Sequence, residues 1–161
     1  MAANYFLKFT PEVKGESKQS EFVDQIEVLS FSWGVSQAGG YSYGSGGTAA
    51  KANLQDLSLS FRQCAASPVL MQGCATGKHY DTAVLSCLKS TGDKQQKYLE
   101  ITLTDVVVSS YQTGGSGDDM PIESITLNFA KVVEGFYKQD DKGIMTLAET
   151  GTWNQQTATA E

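Results

Sequence analysis

The chain has little basic charge and few of the residues that metal or acid–base chemistry requires. Its 161 residues include 12 lysines and arginines against 18 acids, which gives a net charge of -6, and its only arginine is Arg62. Nucleic acid is therefore disfavoured as the principal partner, because phosphate binding needs clustered basic side chains. Three cysteines without a CxxC spacing and a single histidine, His79, do not form a zinc motif.

Long apolar runs are also missing. No window of ~18 uninterrupted apolar residues occurs, and the first residues lack the basic and then apolar pattern of a signal peptide. We therefore expect neither membrane insertion nor Sec-dependent export. Reduced thiols, in a protein made in the cytoplasm, are the expectation for the three cysteines.

The sequence lacks the components of an active site. The segment GCATGKHY places three residues between Gly73 and Gly77 where a phosphate loop requires four, and His79 stands where that loop has serine or threonine. The adjacent pairs at 118–119 and 140–141 are aspartates in glycine-rich turns, without interleaved ligands. We predict no enzyme, and no catalytic, cofactor-binding or metal-binding residue.

Alternation of apolar and polar residues is the strongest pattern that the chain does contain. Leu29, Phe31, Trp33 and Val35 alternate with small polar residues, which predicts one half-buried strand from 25 to 37. The same alternation occurs at 56–62, in a second strand predicted from 54 to 63, and a loop rich in glycine and tyrosine separates the two strands. The loop contains Gly39, Gly40, Tyr41, Tyr43, Gly44, Gly46 and Gly47.

The remainder of the chain alternates over 79–89, 98–111, 122–138 and 144–153, separated by turn residues. One helix is predicted, with Ser67 as its N-cap, Leu70, Met71 and Cys74 as its apolar face, and Gly77 as its end. The fold class is mainly β: an antiparallel barrel or sandwich with one short flanking helix and an extended glycine-rich loop. We expect a single domain over 1–161, frayed over about 155–161.

Five segments follow one another along the chain: QIEVLSFSWGVSQ, the glycine-rich loop after it, LMQGCATGKHYDTAVLSCLKS, KYLEITLTDVVVSSYQTGGSG and ESITLNFAKV. In this order they resemble the Hcp family, the secreted tube protein of bacterial type VI secretion systems. The resemblance covers roughly residues 5 to 154, and the closing GTWNQ also resembles the last strand of the family.

The resemblance implies a small β-barrel subunit that forms hexameric rings, which stack into a tube inside a contractile sheath beneath a VgrG-type spike protein. It implies that small effector proteins travel in the ring lumen, and that the protein is assembled in the cytoplasm and then secreted without a Sec signal. No catalysis, cofactor or membrane insertion is implied.

Within that frame Ser30 and Ser32 are predicted to face the lumen and cargo, on the strand face opposite Leu29, Phe31 and Trp33. The seven glycine and tyrosine residues of the loop named above are expected to be inter-subunit contacts, because tyrosine brings apolar area and a hydrogen-bonding tip to an interface. Two alternatives remain open. The chain could be the tail-tube subunit of a phage or another contractile injection machine, or a monomeric β-sandwich that binds a peptide or sugar.

Overall fold

The computed structural model describes residues 4–38, 51–92 and 94–161. Within these ranges the chain forms ten strands and one helix, in agreement with the predicted mainly β class. The elements are β1 (Asn4–Thr10), β2 (Ile26–Val28), β3 (Ser30–Ser32), β4 (Val35–Ser36), β5 (Asn53–Leu54), β6 (Leu57–Arg62), α1 (Ala66–Thr76), β7 (His79–Thr91), β8 (Lys94–Gly114), β9 (Ile122–Gln139) and β10 (Met145–Asn154).

The main sheet is antiparallel and nearly closes into a barrel. Its strands follow the order β2, β1, β7, β8, β9, β6, β3, and β10 pairs with the second half of β9. The two ends of this order, β2 and β3, are consecutive in the chain: β2 pairs with β1, whereas β3 pairs with β6. A single stretch of chain therefore bridges both ends of the sheet, which brings it close to a barrel.

A bulge at this bridge changes which side chains are buried. The N–H of Leu29 donates to the carbonyl of Ser60 at 2.7 Å, while Ser30 is the residue aligned with Ser60. Two residues thus oppose one, which is the pattern of a β-bulge and reverses the side-chain phase. The prediction of one continuous strand from 25 to 37 was therefore wrong.

The prediction that Leu29, Phe31, Trp33 and Val35 form one buried face was also partly wrong, because the bulge and the ends of the short strands change which side chains face the core. Leu29 and Val35 are 43% and 57% exposed, and only Phe31 and Trp33 pack against the core. The residues buried before the bulge are Ile26 and Val28, which occupy the opposite phase.

Helix α1 ends as predicted but begins differently. Gly77 adopts a left-handed conformation with φ of 67°, and its N–H bonds to the last turn. Ser67 lies inside the helix rather than at its N-cap: its hydroxyl accepts from the N–H of Cys64 at 3.0 Å, and Ala65 occupies the cap position without a side-chain bond. The serine therefore fixes the turn that leads into the helix.

The buried face of α1 is narrower than the sequence predicts. Leu70 is fully buried and Cys74 is half-buried, as expected, but Met71 is 50% exposed. Gly73 is buried instead, where the Tyr80 hydroxyl would lie 2.8 Å from an added Cβ. The helix therefore packs against Tyr80, at the start of β7, through a residue without a side chain.

A single hydrophobic cluster is enclosed by the barrel strands and α1. It contains residues from β1, β2, β6, β7, β8 and β9 in their inward phase. The largest fully buried side chains are Tyr80, Phe9, Phe61, Leu7, Ile26, Leu57, Leu70, Leu85, Leu88, Ile101, Leu103 and Ile125.

Cys87 lies inside this core and makes stability dependent on alkaline pH. Burial raises the pKa of its thiol to about 12. Because the unfolded thiol ionises at lower pH, we expect the contribution of Cys87 to the free energy of unfolding to be constant below about pH 8.5 and to fall as pH rises toward 12. Denaturant titrations of the wild type and Cys87→Ala should show a shallower alkaline decline in the variant. Equal slopes would contradict this prediction.

The polar end of the chain turns back onto β9. The amide of Gln155 donates to Phe129 and its backbone N–H to Ala130, both at 2.7 Å, and Asn154 bonds through its N–H to Thr159. Composition predicts a frayed tail here, whereas these bonds attach its first residues to the sheet.

Candidate functional site

A patch of small polar side chains covers the outer side of four strands, β3, β6, β9 and β8, and we call it the hydroxyl face. The strands are in register, so the side chains form two rows. The first row consists of Ser30, Ser60, Ser124 and Gln112, and the second of Ser32, Ser58, Thr126 and Ser110.

The hydroxyl face exists because successive side chains of a strand point to opposite sides of the sheet. Leu59 and Ile125 lie between its members in sequence and are buried, while Phe31 is half-buried against the same core. One face thus holds the barrel together, and the other is presented to solvent.

Hydroxyl groups on this face bond to one another. The Ser30 and Ser60 hydroxyls lie 2.5 Å apart, and those of Ser110 and Thr126 lie 2.6 Å apart. The face forms a shallow concavity of about 450 Å³ whose lining carries no charged residue. It can therefore offer hydrogen bonds but no ionic contact.

Two charged residues, Asp56 and Arg62, lie where β6 enters and leaves the face. Asp56 accepts bonds from the hydroxyl of Ser109 at 2.6 Å and the amide of Asn128 at 2.8 Å. Arg62 ends the strand at the opposite side. The six residue steps from Asp56 to Arg62 span about 20 Å at the rise of a strand, so the neutral surface is bounded by one acid and one base.

Both lateral edges of the hydroxyl face are unpaired within the described part of the chain. β3 pairs with β6 alone, because β2 rather than β3 pairs with β1. The end of β8 beyond Val107 pairs with β9 alone, because β7 begins at His79 opposite Val107. Unpaired N–H and C=O groups along a strand are a template for pairing with another chain.

The histidine and the paired aspartates that could have catalytic or metal-binding roles do not lie together in residues 4–38, 51–92 and 94–161. His79 is exposed at the start of β7, and Asp140 accepts the N–H groups of Lys142 and Ile144, each at 2.8 Å, as expected for a turn. Asp119 likewise accepts the N–H of Met120. Over the same ranges there is no cluster of three metal-ligating side chains, and no helix long and apolar enough to cross a membrane.

The geometry is that of a small antiparallel barrel with an uncharged outer sheet and free strand edges. A family model described as "Type VI secretion system effector, Hcp" matches residues 6–134. The chain belongs to the Hcp family.

Relatives of this Hcp protein agree along nearly its whole length. The protein hcp1 of Pseudomonas aeruginosa is 46% identical over 144 residues, which cover 89% of this chain and 88% of that protein. A solved type VI secretion system protein superposes with a TM-score of 0.92 at 28% identity, covering 99% of this chain and all of the other. Hcp1 from Salmonella typhimurium superposes with a TM-score of 0.80 at 29% identity over the full length of both chains.

The structure places the two serines singled out in the Hcp sequence on the hydroxyl face. Ser30 and Ser32 are exposed at its edge on β3. Their role toward a lumen or cargo stays a prediction. The predicted inter-subunit residues Gly39, Gly40, Tyr41, Tyr43, Gly44, Gly46 and Gly47 lie outside the described residues.

Six members of the hydroxyl face were not identified from sequence. The signal was present in the alternating hydroxyls at 58 and 60 and at 124 and 126. What the sequence lacked was the strand order, which aligns these pairs with Ser30 and Ser32.

Proposed function

We propose that this Hcp chain is the structural subunit of the inner tube of a type VI secretion system. Six copies form a ring, the rings stack into a tube, and small effector proteins are carried and protected in the lumen. The contractile sheath and a VgrG-type spike are its machine partners, and the subunit is assembled in the cytoplasm and exported with the tube. Its role is structural rather than catalytic.

The unpaired edges of the hydroxyl face are the observation that carries this proposal. The face is four strands wide, with β3 at one edge and the end of β8 at the other. Strand direction alternates across it, and four is an even number, so the β8 edge of one copy meets the β3 edge of the next as an antiparallel pair. Head-to-tail contacts of this kind close into a ring.

Such a ring would have a neutral, hydroxyl-lined channel wide enough for a small protein. Six copies contribute about 24 strands, and strands 4.8 Å apart give a barrel roughly 40 Å across between backbones. A folded protein of ~100 residues has a radius of gyration of ~13 Å, so it fits inside once the short serine side chains line the wall.

Native mass spectrometry combined with negative-stain imaging tests the assembly directly. We expect a hexamer and ring-shaped particles with a central channel. A monomer with no larger species would overturn the proposal and favour the monomeric binding module.

Enlarging Ser32 should weaken cargo retention without affecting the ring. The side chain is exposed on β3 and has no described partner, so Ser32→Gln does not disturb the core but adds bulk where cargo would lie. We expect the same hexamer in native mass spectrometry and a cargo-to-ring ratio reduced severalfold in rings purified from the producing bacterium.

Ser20→Gln is the matched control, because Ser20 is exposed in the segment between β1 and β2 and does not belong to the hydroxyl face. Its cargo ratio should equal that of the wild type. Loss of the hexamer in Ser32→Gln alone would contradict the lumen assignment and indicate that the side chain of Ser32, and not only the backbone of β3, lies in a subunit contact.

A further inference from the structure

Four of the eight side chains of the hydroxyl face form hydrogen bonds with one another, and the other four do not. Ser30 bonds to Ser60, and Ser110 bonds to Thr126. Within the described part of the chain, no side-chain hydrogen bond is made by the other four members, which are Ser32, Ser58, Ser124 and Gln112. Each bonded pair already uses one O–H donor within the face, whereas the remaining four side chains keep all of their donors free to bind another molecule.

The four unbonded side chains form two neighbouring pairs. Ser32 is aligned with Ser58 across β3 and β6, and Gln112 is aligned with Ser124 across β8 and β9. Side chains directly opposite on one face have Cβ atoms ~5 Å apart. Each pair can therefore contact the same group of a bound molecule.

Gln112 differs from the rest of the face in reach and in chemistry. It has the longest side chain there, and its carboxamide offers both N–H donors and a carbonyl acceptor. A peptide bond, or an asparagine or glutamine side chain, presents the complementary donor and acceptor. A charged group would lose water without gaining an opposite charge, because the lining of the concavity is uncharged.

We propose that Gln112 and Ser124 form a second cargo-binding pair, which selects uncharged amide groups on the surface of a folded effector. This inference rests on the proposed function, because it assumes that the hydroxyl face lines a lumen. Gln112 lies on the free β8 edge, next to the β3 edge of the neighbouring copy. In the proposed ring, strand β3 of the adjoining subunit therefore borders the site.

The test uses assembled rings and a cargo identified from them. Rings are purified from the producing bacterium, the most abundant small protein bound to them is identified by mass spectrometry, and that protein is made separately and titrated onto empty rings. Gln112→Ala combined with Ser124→Ala should reduce its affinity ~tenfold or more, because two neutral hydrogen bonds are lost. Native mass spectrometry checks that the variant remains hexameric.

The matched control is Ser30→Ala combined with Ser60→Ala, which removes two hydroxyls of the same face that already bond to each other. Its affinity should stay within about twofold of the wild type, because removing both partners of a bond leaves no unsatisfied group. An equal loss of affinity in the two double variants, or no loss in either, would overturn this inference but not the proposed carrier function. Wild-type rings that carry no protein would overturn the proposed carrier function and this inference with it.

Ionic strength supplies an independent measurement. Contacts between neutral groups are not screened, so the affinity of the wild-type ring for that protein should change less than about twofold between ~0.05 M and ~0.5 M salt. A steep decline would show ionic recognition and would overturn the assignment to uncharged amides.

Discussion

A subunit that carries both Ser32→Cys and Gln112→Cys is expected to form a ladder of covalent oligomers of up to six chains under mild oxidation. In the proposed ring the free β8 edge of one copy adjoins the free β3 edge of the next. Directly opposed residues on paired strands lie within the Cα separation of 4.4–6.8 Å that a disulfide requires. Non-reducing electrophoresis reads out the ladder.

The disulfide can form only between chains. Two strands, β6 and β9, separate Ser32 from Gln112 within one subunit, which places them about 14 Å apart at the spacing of strands in a sheet. Ser110→Cys is paired with Ser32→Cys in a second variant, because it lies two residues along the same edge strand. The half-buried Cys64 and Cys74 are replaced by serine, and the buried Cys87 is retained.

Ser60→Cys combined with Gln112→Cys provides the control for random collision. Ser60 lies on β6, so β3 separates it from the neighbouring copy and β9 separates it from β8. We expect monomers only from this variant. Monomers from both Ser32 variants, in a protein that is hexameric by native mass spectrometry, would show that the ring closes through other surfaces.

Much of the barrel could be predicted because its strands have a solvated face. The buried phase of β6 at Leu57, Leu59 and Phe61 follows directly from alternation, as does the phase of β9 at Ile125 and Leu127. The left-handed Gly77 marks the end of the helix for a local steric reason. Such features depend on residues that are close together in the chain, so they can be predicted from the sequence.

Features that depend on distant partners could not be predicted. The bulge at Leu29 arises because one stretch of chain must leave β1 and join β6, and nothing in the local alternation marks that exchange. The hydroxyl face was recognised only at Ser30 and Ser32, because its rows require the order of four strands. The order of strands in a sheet is set by contacts between segments that are distant in the chain, and the composition of one strand does not reveal its neighbours.

Glu123 is the clearest departure from sequence expectation. It continues the inward phase of β9, is fully buried, and has no hydrogen-bond partner for either carboxylate oxygen among the described residues. Burial raises the pKa of Tyr111, and the Glu123 carboxylate beside it raises that pKa further. Composition alone assigns such a residue to the surface, since acids are almost never fully buried without a partner.

Gly15 has a structural role that the sequence did not reveal. The sequence indicates only a loop around residues 13–17, whereas the structure places this glycine directly against the chain that leads into β2. Its N–H donates to the carbonyl of Asp24 at 2.7 Å. An added Cβ would lie 2.5 Å from the carbonyl oxygen of Gln25 and 2.7 Å from the Cα of Ile26.

Gly15→Ala is therefore expected to destabilise the barrel at its bridging strand. The atoms that the new methyl would meet belong to the backbone, so they cannot move aside as a flexible side chain can, and the segment from 11 to 25 must separate from β2. Overpacking of this kind costs about 1–3 kcal/mol or more, which lowers the melting temperature by roughly 3–10 °C in a chain of this size. Thermal unfolding followed by circular dichroism measures the shift.

The comparison that isolates this contact is Gly117→Ala, because nothing lies within 4 Å of a Cβ added at position 117. Both variants remove the same backbone freedom from the unfolded chain, an effect that by itself stabilises by less than about 1 kcal/mol. Gly117→Ala should therefore melt at or slightly above the temperature of the wild type. If Gly15→Ala melts at that temperature too, the packing of residues 11–25 against β2 does not contribute to stability, and the bridge is held by its pairing with β1 and β6 alone.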